Sequence, residues 1–114
     1  MVKVGVDREI LDLIRRVVLE EAGGLGVTVE RIILFGSRAR GDAREDSDWD
    51  ILIVVRGEVG WRTRMRFWSK LYMRLYELLG GDVDVIIMDA ERLRERRGLW
   101  GSLEYAAERE GVVV

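Results

Sequence analysis

At 114 residues, with a formal net charge of −2 and a pI of about 5.3, the chain fits one domain (1–114) and lacks the global basic field that would suggest DNA binding. Cys and His are absent, which excludes disulfides, thiol catalysis and imidazole-bound zinc and leaves carboxylates for metal binding and proton transfer. No apolar run approaches the roughly 18–20 residues of a membrane span, and Met1-Val2-Lys3 opens no signal-peptide pattern, so a soluble cytoplasmic protein is expected.

Asp7 is placed to cap a first helix running to about Ala22. Ile10, Leu11, Ile14, Val17 and Val18 recur there at helical spacing, and Gly23-Gly24 is the expected stop. Arg31 to Phe35 reads as a strand buried on both faces, because its apolar run is nearly continuous. The segment from Ser37 to Ser47 is read as a charged loop opening on one helical turn. Trp49 to Val55 is again apolar after Asp50 and reads as a second strand, closed by Arg56-Gly57-Glu58.

Trp61 to Leu79 predicts a long helix ended by Gly80-Gly81. Trp61, Met65, Trp68, Tyr72, Leu75 and Leu79 form one stripe, widened by Phe67, Leu71 and Leu78, with Arg62, Arg66, Lys70 and Arg74 opposite. The apolar arc exceeds the ~100° that a core-facing helix requires. Simple deep burial is the preferred reading, and partner binding by the aromatics is the alternative. Asp82 to Met88 predicts a third strand. Asp89-Ala90-Glu91 then caps one or two further helices, broken at Gly98 or Gly101, whose apolar side is Leu93, Leu99, Trp100, Leu103, Tyr105 and Ala106. Val112-Val113-Val114 adds an edge strand or a tail. The expected fold is α/β (α+β): a mixed sheet of three or four strands with helices packed mainly on one face. Asn, Gln and Pro are missing and Arg far outnumbers Lys, a thermophile trend in composition.

The chemistry concentrates between Leu34 and Val55. Side chains alternate faces along a strand, so Asp48 and Asp50 point the same way with Cα atoms roughly 6–7 Å apart, while Trp49 points to the other face. Two such carboxylates suit Mg²⁺, which takes one or two protein carboxylates and completes its shell with phosphate and water. Gly36 lets backbone approach a ligand, and Ser37 offers an N–H and a hydroxyl to a phosphate. Arg38, next in line, is the cation assigned to the triphosphate, since guanidinium binds phosphate oxygens bidentately. Arg38, Arg40 and Arg44 also fit a plain solvated loop. Asp48 and Asp50 also fit surface acids kept for solubility, but clustered with Glu45 and Asp46 they would repel one another, and a divalent cation removes that conflict.

Gly36-Ser37, ten residues, then Asp48-x-Asp50 resembles the signature of the polymerase-β-type nucleotidyltransferases. The wording FGSRARGDAREDSDWDILI and the short length resemble the minimal nucleotidyltransferases, which are paired with helical HEPN toxins as antitoxins. The resemblance implies a third acid on the strand after the long helix, completing the metal site and activating the attacking hydroxyl. Asp84 matches it better than Asp82, which adjoins Gly81 in the expected turn. It further implies two Mg²⁺ ions (Mn²⁺ as a substitute) held by Asp48, Asp50 and Asp84, ATP as donor, and a tyrosine of the HEPN partner as acceptor of AMP. Two other readings stay open: transfer to a small molecule or an RNA end, and a non-catalytic antitoxin that neutralises its toxin by docking.

Overall fold

The computed structural model describes residues 7–96, 109 and 111–114. The first helix, α1 (Arg8–Leu25), begins where the Asp7 side chain accepts a hydrogen bond from the Glu9 N–H at 2.9 Å. It runs through Gly23-Gly24 rather than stopping there. Each interior glycine costs about 1 kcal/mol relative to Ala, but one more turn brings Leu25 against the core. Gly26 then takes the left-handed conformation (φ 69°) and donates to the Ala22 and Gly23 carbonyls.

The strands β1 (Val29–Phe35), β2 (Trp49–Val55), β3 (Val83–Asp89) and β4 (Val112–Val113) form one mixed sheet in the order β3-β2-β1-β4. β2 is antiparallel to β1 and parallel to β3, and β4 is antiparallel to β1. The parallel pair is joined by the long helix α3 (Trp61–Leu79), and β3 continues directly into α4 (Ala90–Arg96). One turn of helix, α2 (Ser37–Arg40), follows β1.

Central β2 is apolar on both faces because both are covered. Ile51, Ile53 and Val55 join Ile32, Leu34 and the buried sides of α1 and α3. Leu52 and Val54 join Ile33, Phe35, Met88 and the α4 residues Ala90 and Leu93. The helices thus lie mainly on one face, with α4 against one end of the other. The residues Leu99, Trp100, Leu103, Tyr105 and Ala106, expected to line the last helix, fall outside the described residues.

The expected deep burial of α3 holds for one side only. Phe67, Leu71 and Leu75 are fully buried, whereas Trp61, Met65, Trp68 and Tyr76 are 67%, 62%, 44% and 48% exposed. The reason is the position of β3 at the sheet edge: α3 packs against α1 on one flank, and among the described residues no strand lies beyond β3 to cover the other. That flank guards the edge. The Trp68 indole N–H donates to the Val85 carbonyl at 2.9 Å, and Arg64 donates to the Ile87 carbonyl at 2.9 Å and pairs with Asp89 at 2.6 Å.

Candidate active site

β1 ends at Phe35, and Gly36 turns the chain with φ 75° and ψ −160°, a region essentially restricted to glycine. A side chain is excluded there for a second reason. A Cβ on Gly36 would run into the Asp50 carboxylate, whose Cγ would lie 3.2 Å away. The turn and the acid therefore share one small space. α2 starts at once, its Ala39 and Arg40 N–H groups donating to the Gly36 carbonyl at 3.1 and 3.0 Å. By helix geometry, the preceding N–H groups of Ser37 and Arg38 have no intrahelical acceptor.

The acids come together through strand register. Asp50 faces Phe35 on the antiparallel side and Asp84 on the parallel side, so two carboxylates sit on adjacent strands at the strand spacing of about 4.8 Å. Asp48 immediately precedes β2 and shares the Asp50 face by alternation; Trp49 is buried in the core of the opposite face. Asp48 and Asp84 are exposed and Asp50 is half-buried. The Asp50 pKa is raised above the usual 3.8, first by desolvation and then by the charges of Asp84 and Asp48, while Arg40 pulls it back. Asp82 is exposed and immediately precedes β3, and its carbonyl accepts from the Trp49 N–H at 2.9 Å, so its backbone already pairs with β2.

This donor set fits a hard divalent cation. The groups are carboxylates only, and burial, followed by the charges of Asp84 and Asp48, raises the pKa of Asp50. Among the described residues no three acidic side chains stand close enough together to hold one metal ion unaided. An open site suits Mg²⁺, which keeps most of its shell for phosphate oxygens and water.

Arg38 stands elsewhere than the sequence suggested. Its Nε and Nη2 donate to the Ser47 carbonyl at 3.3 and 2.9 Å, Nη2 also reaches the Glu45 carbonyl at 3.2 Å, and its Cζ lies over the Trp49 ring, 4.6 Å from the centroid. Ser47 is held locally: its Oγ accepts from the Arg44 N–H at 2.8 Å. The cation that acts on Asp50 is Arg40, which sequence reading left among the loop arginines. The signal was available in spacing, because residues three apart on a helical turn share a face and Arg40 is three after Ser37.

The polymerase beta nucleotidyltransferase family model matches residues 26–98, a span holding every residue of this site. Two proteins of Methanocaldococcus jannaschii named as protein adenylyltransferases are similar in sequence. MJ0604 is 39% identical over 72 residues, 63% of this chain and 65% of its own length. MJ0141 is 44% identical over 48 residues, 42% of this chain and 48% of its own. The match thus spans about half to two thirds of these relatives. A solved structure described as a minimal nucleotidyltransferase superposes with a TM-score of 0.57 at 31% identity, covering 96% of this chain and 97% of that one. A toxin–antitoxin crystal structure with AMP-PNP shares the fold, with a TM-score of 0.56 at 22% identity over 86% of this chain and 69% of that one. With the Gly-Ser turn, the paired strand acids and the family match coinciding on the same residues, the chain belongs to the polymerase beta nucleotidyltransferase family and, within it, to the minimal nucleotidyltransferases.

Proposed function

We propose that this chain is a Mg²⁺-dependent nucleotidyltransferase that moves AMP from ATP to a tyrosine hydroxyl of a cognate HEPN-type toxin, and so acts as an antitoxin. The observation that carries the reading is the register of Asp50 with Asp84 beside the Gly36 turn, which sets two carboxylates against a stretch of backbone that carries no side chain. The protein adenylyltransferase names of the two relatives support the reaction class, and the toxin–antitoxin fold neighbour with AMP-PNP supports the partner and the donor.

Asp48, Asp50 and Asp84 are the residues that would hold two divalent ions. Bound there, Mg²⁺ (or Mn²⁺) supplies charge neutralisation on the triphosphate and a lower pKa for the attacking hydroxyl. The Gly36-Ser37 turn receives the phosphates with backbone N–H groups and the Ser37 hydroxyl, and Arg40 adds positive charge on that side. Asp84, exposed on the edge strand, faces the acceptor and takes the hydroxyl proton. The acceptor oxygen bonds to the α-phosphorus, the bond from that phosphorus to the bridging oxygen breaks, and pyrophosphate leaves.

The acceptor protein docks on the exposed flank of α3. Trp68, Tyr72 and Tyr76 stack there in a ladder with centroids 5.3 and 6.0 Å apart. Because α3 bonds to Ile87 through Arg64 and to Val85 through Trp68, each further turn of α3 steps two residues back along β3. The ladder therefore leads towards the Asp84 end of the strand. The deciding experiment is mass spectrometry of the candidate toxin after incubation with this protein, Mg²⁺ and ATP. A mass gain of AMP on a tyrosine is expected. Stable complex formation without any mass gain would replace transfer by docking.

A further inference from the structure

We propose that Arg38 is a positioning residue that sets the Asp48 carboxylate by gripping the chain on both sides of it. The inference rests on the nucleotide and metal reading of the site and assigns Arg38 a task other than phosphate binding. Asp48 makes no hydrogen bond or ion pair among the described residues, so its place is fixed through its backbone alone. On its N-terminal side, the Ser47 carbonyl takes two donors from the Arg38 guanidinium, at 3.3 and 2.9 Å. That carbonyl belongs to the planar peptide joining Ser47 to Asp48, so holding the oxygen holds the whole unit. Ser47 is braced in turn by Arg44, through its N–H at 3.0 Å and its hydroxyl at 2.8 Å. On the C-terminal side, Trp49 lies 4.6 Å beneath the same guanidinium, 7% exposed, with its N–H on the Asp82 carbonyl at 2.9 Å.

One planar fork thus ties α2, which starts in the Gly-Ser turn, to both neighbours of Asp48. The phosphate turn and the first metal carboxylate become one rigid unit. A lysine cannot substitute, because it has neither the fork for a shared carbonyl nor the plane that stacks on indole. Residues that orient metal ligands in this way typically change metal affinity 10- to 100-fold when removed.

The test compares the parent chain with Arg38→Ala and Arg38→Lys. Free Mn²⁺ is followed by electron paramagnetic resonance with and without AMP-PNP, and amide hydrogen exchange is followed across residues 42–48. Both variants should exchange faster in that segment and bind Mn²⁺ about 10- to 100-fold more weakly, with or without nucleotide. AMP-PNP affinity at saturating Mn²⁺ should stay close to the parent value. A direct phosphate ligand gives the reverse pattern, unchanged Mn²⁺ affinity and weakened AMP-PNP at every Mn²⁺ concentration, and that result overturns the proposal. Unchanged exchange, or full rescue by lysine, also overturns it. Where alanine unfolds the chain, the lysine variant carries the same test. A parent chain that binds no Mn²⁺ with AMP-PNP refutes the nucleotide reading itself, whereas a binding parent with unchanged variants refutes only the role of Arg38.

Discussion

Two glycines with positive φ separate the strain of a turn from the occupancy of the site. Gly36 has φ 75° and Gly80, which caps α3, has φ 68°. Alanine in the left-handed conformation of Gly80 costs about 1–2 kcal/mol. In the sparser region of Gly36 it costs about 1–3 kcal/mol. The two substitutions should therefore lower stability by similar amounts. Their surroundings differ: a Cβ at Gly80 meets nothing within 4 Å, whereas one at Gly36 collides with the Asp50 carboxylate and stands 3.2 Å from its Cγ. Carbon pairs sit comfortably at about 3.5–4.0 Å. The carboxylate is the free end of its side chain and can swing aside, which adds little to the stability loss. What it loses is its place, by a shift on the order of 1 Å, and misplacement of that size costs about 10²-fold in rate. Urea unfolding and Mn²⁺–AMP-PNP titration on Gly36→Ala and Gly80→Ala are the assays. Comparable unfolding midpoints are expected, with binding and transfer lost only at Gly36. If Gly36→Ala binds as Gly80→Ala does, the turn and Asp50 do not share a ligand site.

The burial of Asp50 and the charges beside it have a pH signature. Its pKa lies above 3.8, so the folded chain holds this proton more tightly than the unfolded one, and ionisation weakens the ion-free fold as pH rises from that value through the folded pKa. Asp50→Asn should remove that loss together with stabilisation by Mn²⁺; superimposable pH–stability profiles for parent and variant would refute the assignment. Asp84→Asn should leave Mn²⁺–nucleotide binding only modestly weaker while transfer falls about 10²–10⁴-fold. Asp82→Asn should leave both close to the parent, and single-turnover assays showing the opposite ranking would move the third carboxylate to Asp82. Tyr76→Glu should keep the fold, since this residue is 48% exposed, and should weaken toxin binding in co-purification; undiminished binding by the folded variant would move the docking surface off the α3 ladder.

The strands were legible because burial on both faces leaves a contiguous apolar run, and β2 supplies one from Ile51 to Val55. Alternation also placed Trp49 opposite Asp48 and Asp50 without knowledge of the fold. The pairing of Asp50 with Asp84 was not legible, because register between strands joined by a helix is set by how that helix packs. The C-terminus of α1 was missed for a related reason. Gly23-Gly24 is a local stop signal, overridden by Leu25 reaching a core built from distant segments. The width of the apolar arc on α3 was correctly seen, but not its division. A sequence cannot tell which strand lies at the sheet edge, and edge position is what leaves Trp61, Met65 and Trp68 uncovered.

The two arginines of α2 make the same point at the scale of one turn. Adjacency to Ser37 argued for Arg38 on the phosphates, but successive residues on a helix are rotated by about 100° and leave on different faces. Arg38 therefore departs towards Glu45, Ser47 and Trp49, while Arg40 comes round to the field of Asp50. The division of labour has an electrostatic consequence. The Arg38 guanidinium has its donors on the Glu45 and Ser47 carbonyls and its Cζ over the Trp49 ring. Arg40 lowers the Asp50 pKa against desolvation and two neighbouring carboxylates, so it favours the ionised form of Asp50 before any cation arrives. Replacing Arg40 by a neutral residue should then raise the Asp50 pKa further and shift Mn²⁺ binding to higher pH. Replacing Arg38 should weaken Mn²⁺ binding without moving its pH midpoint.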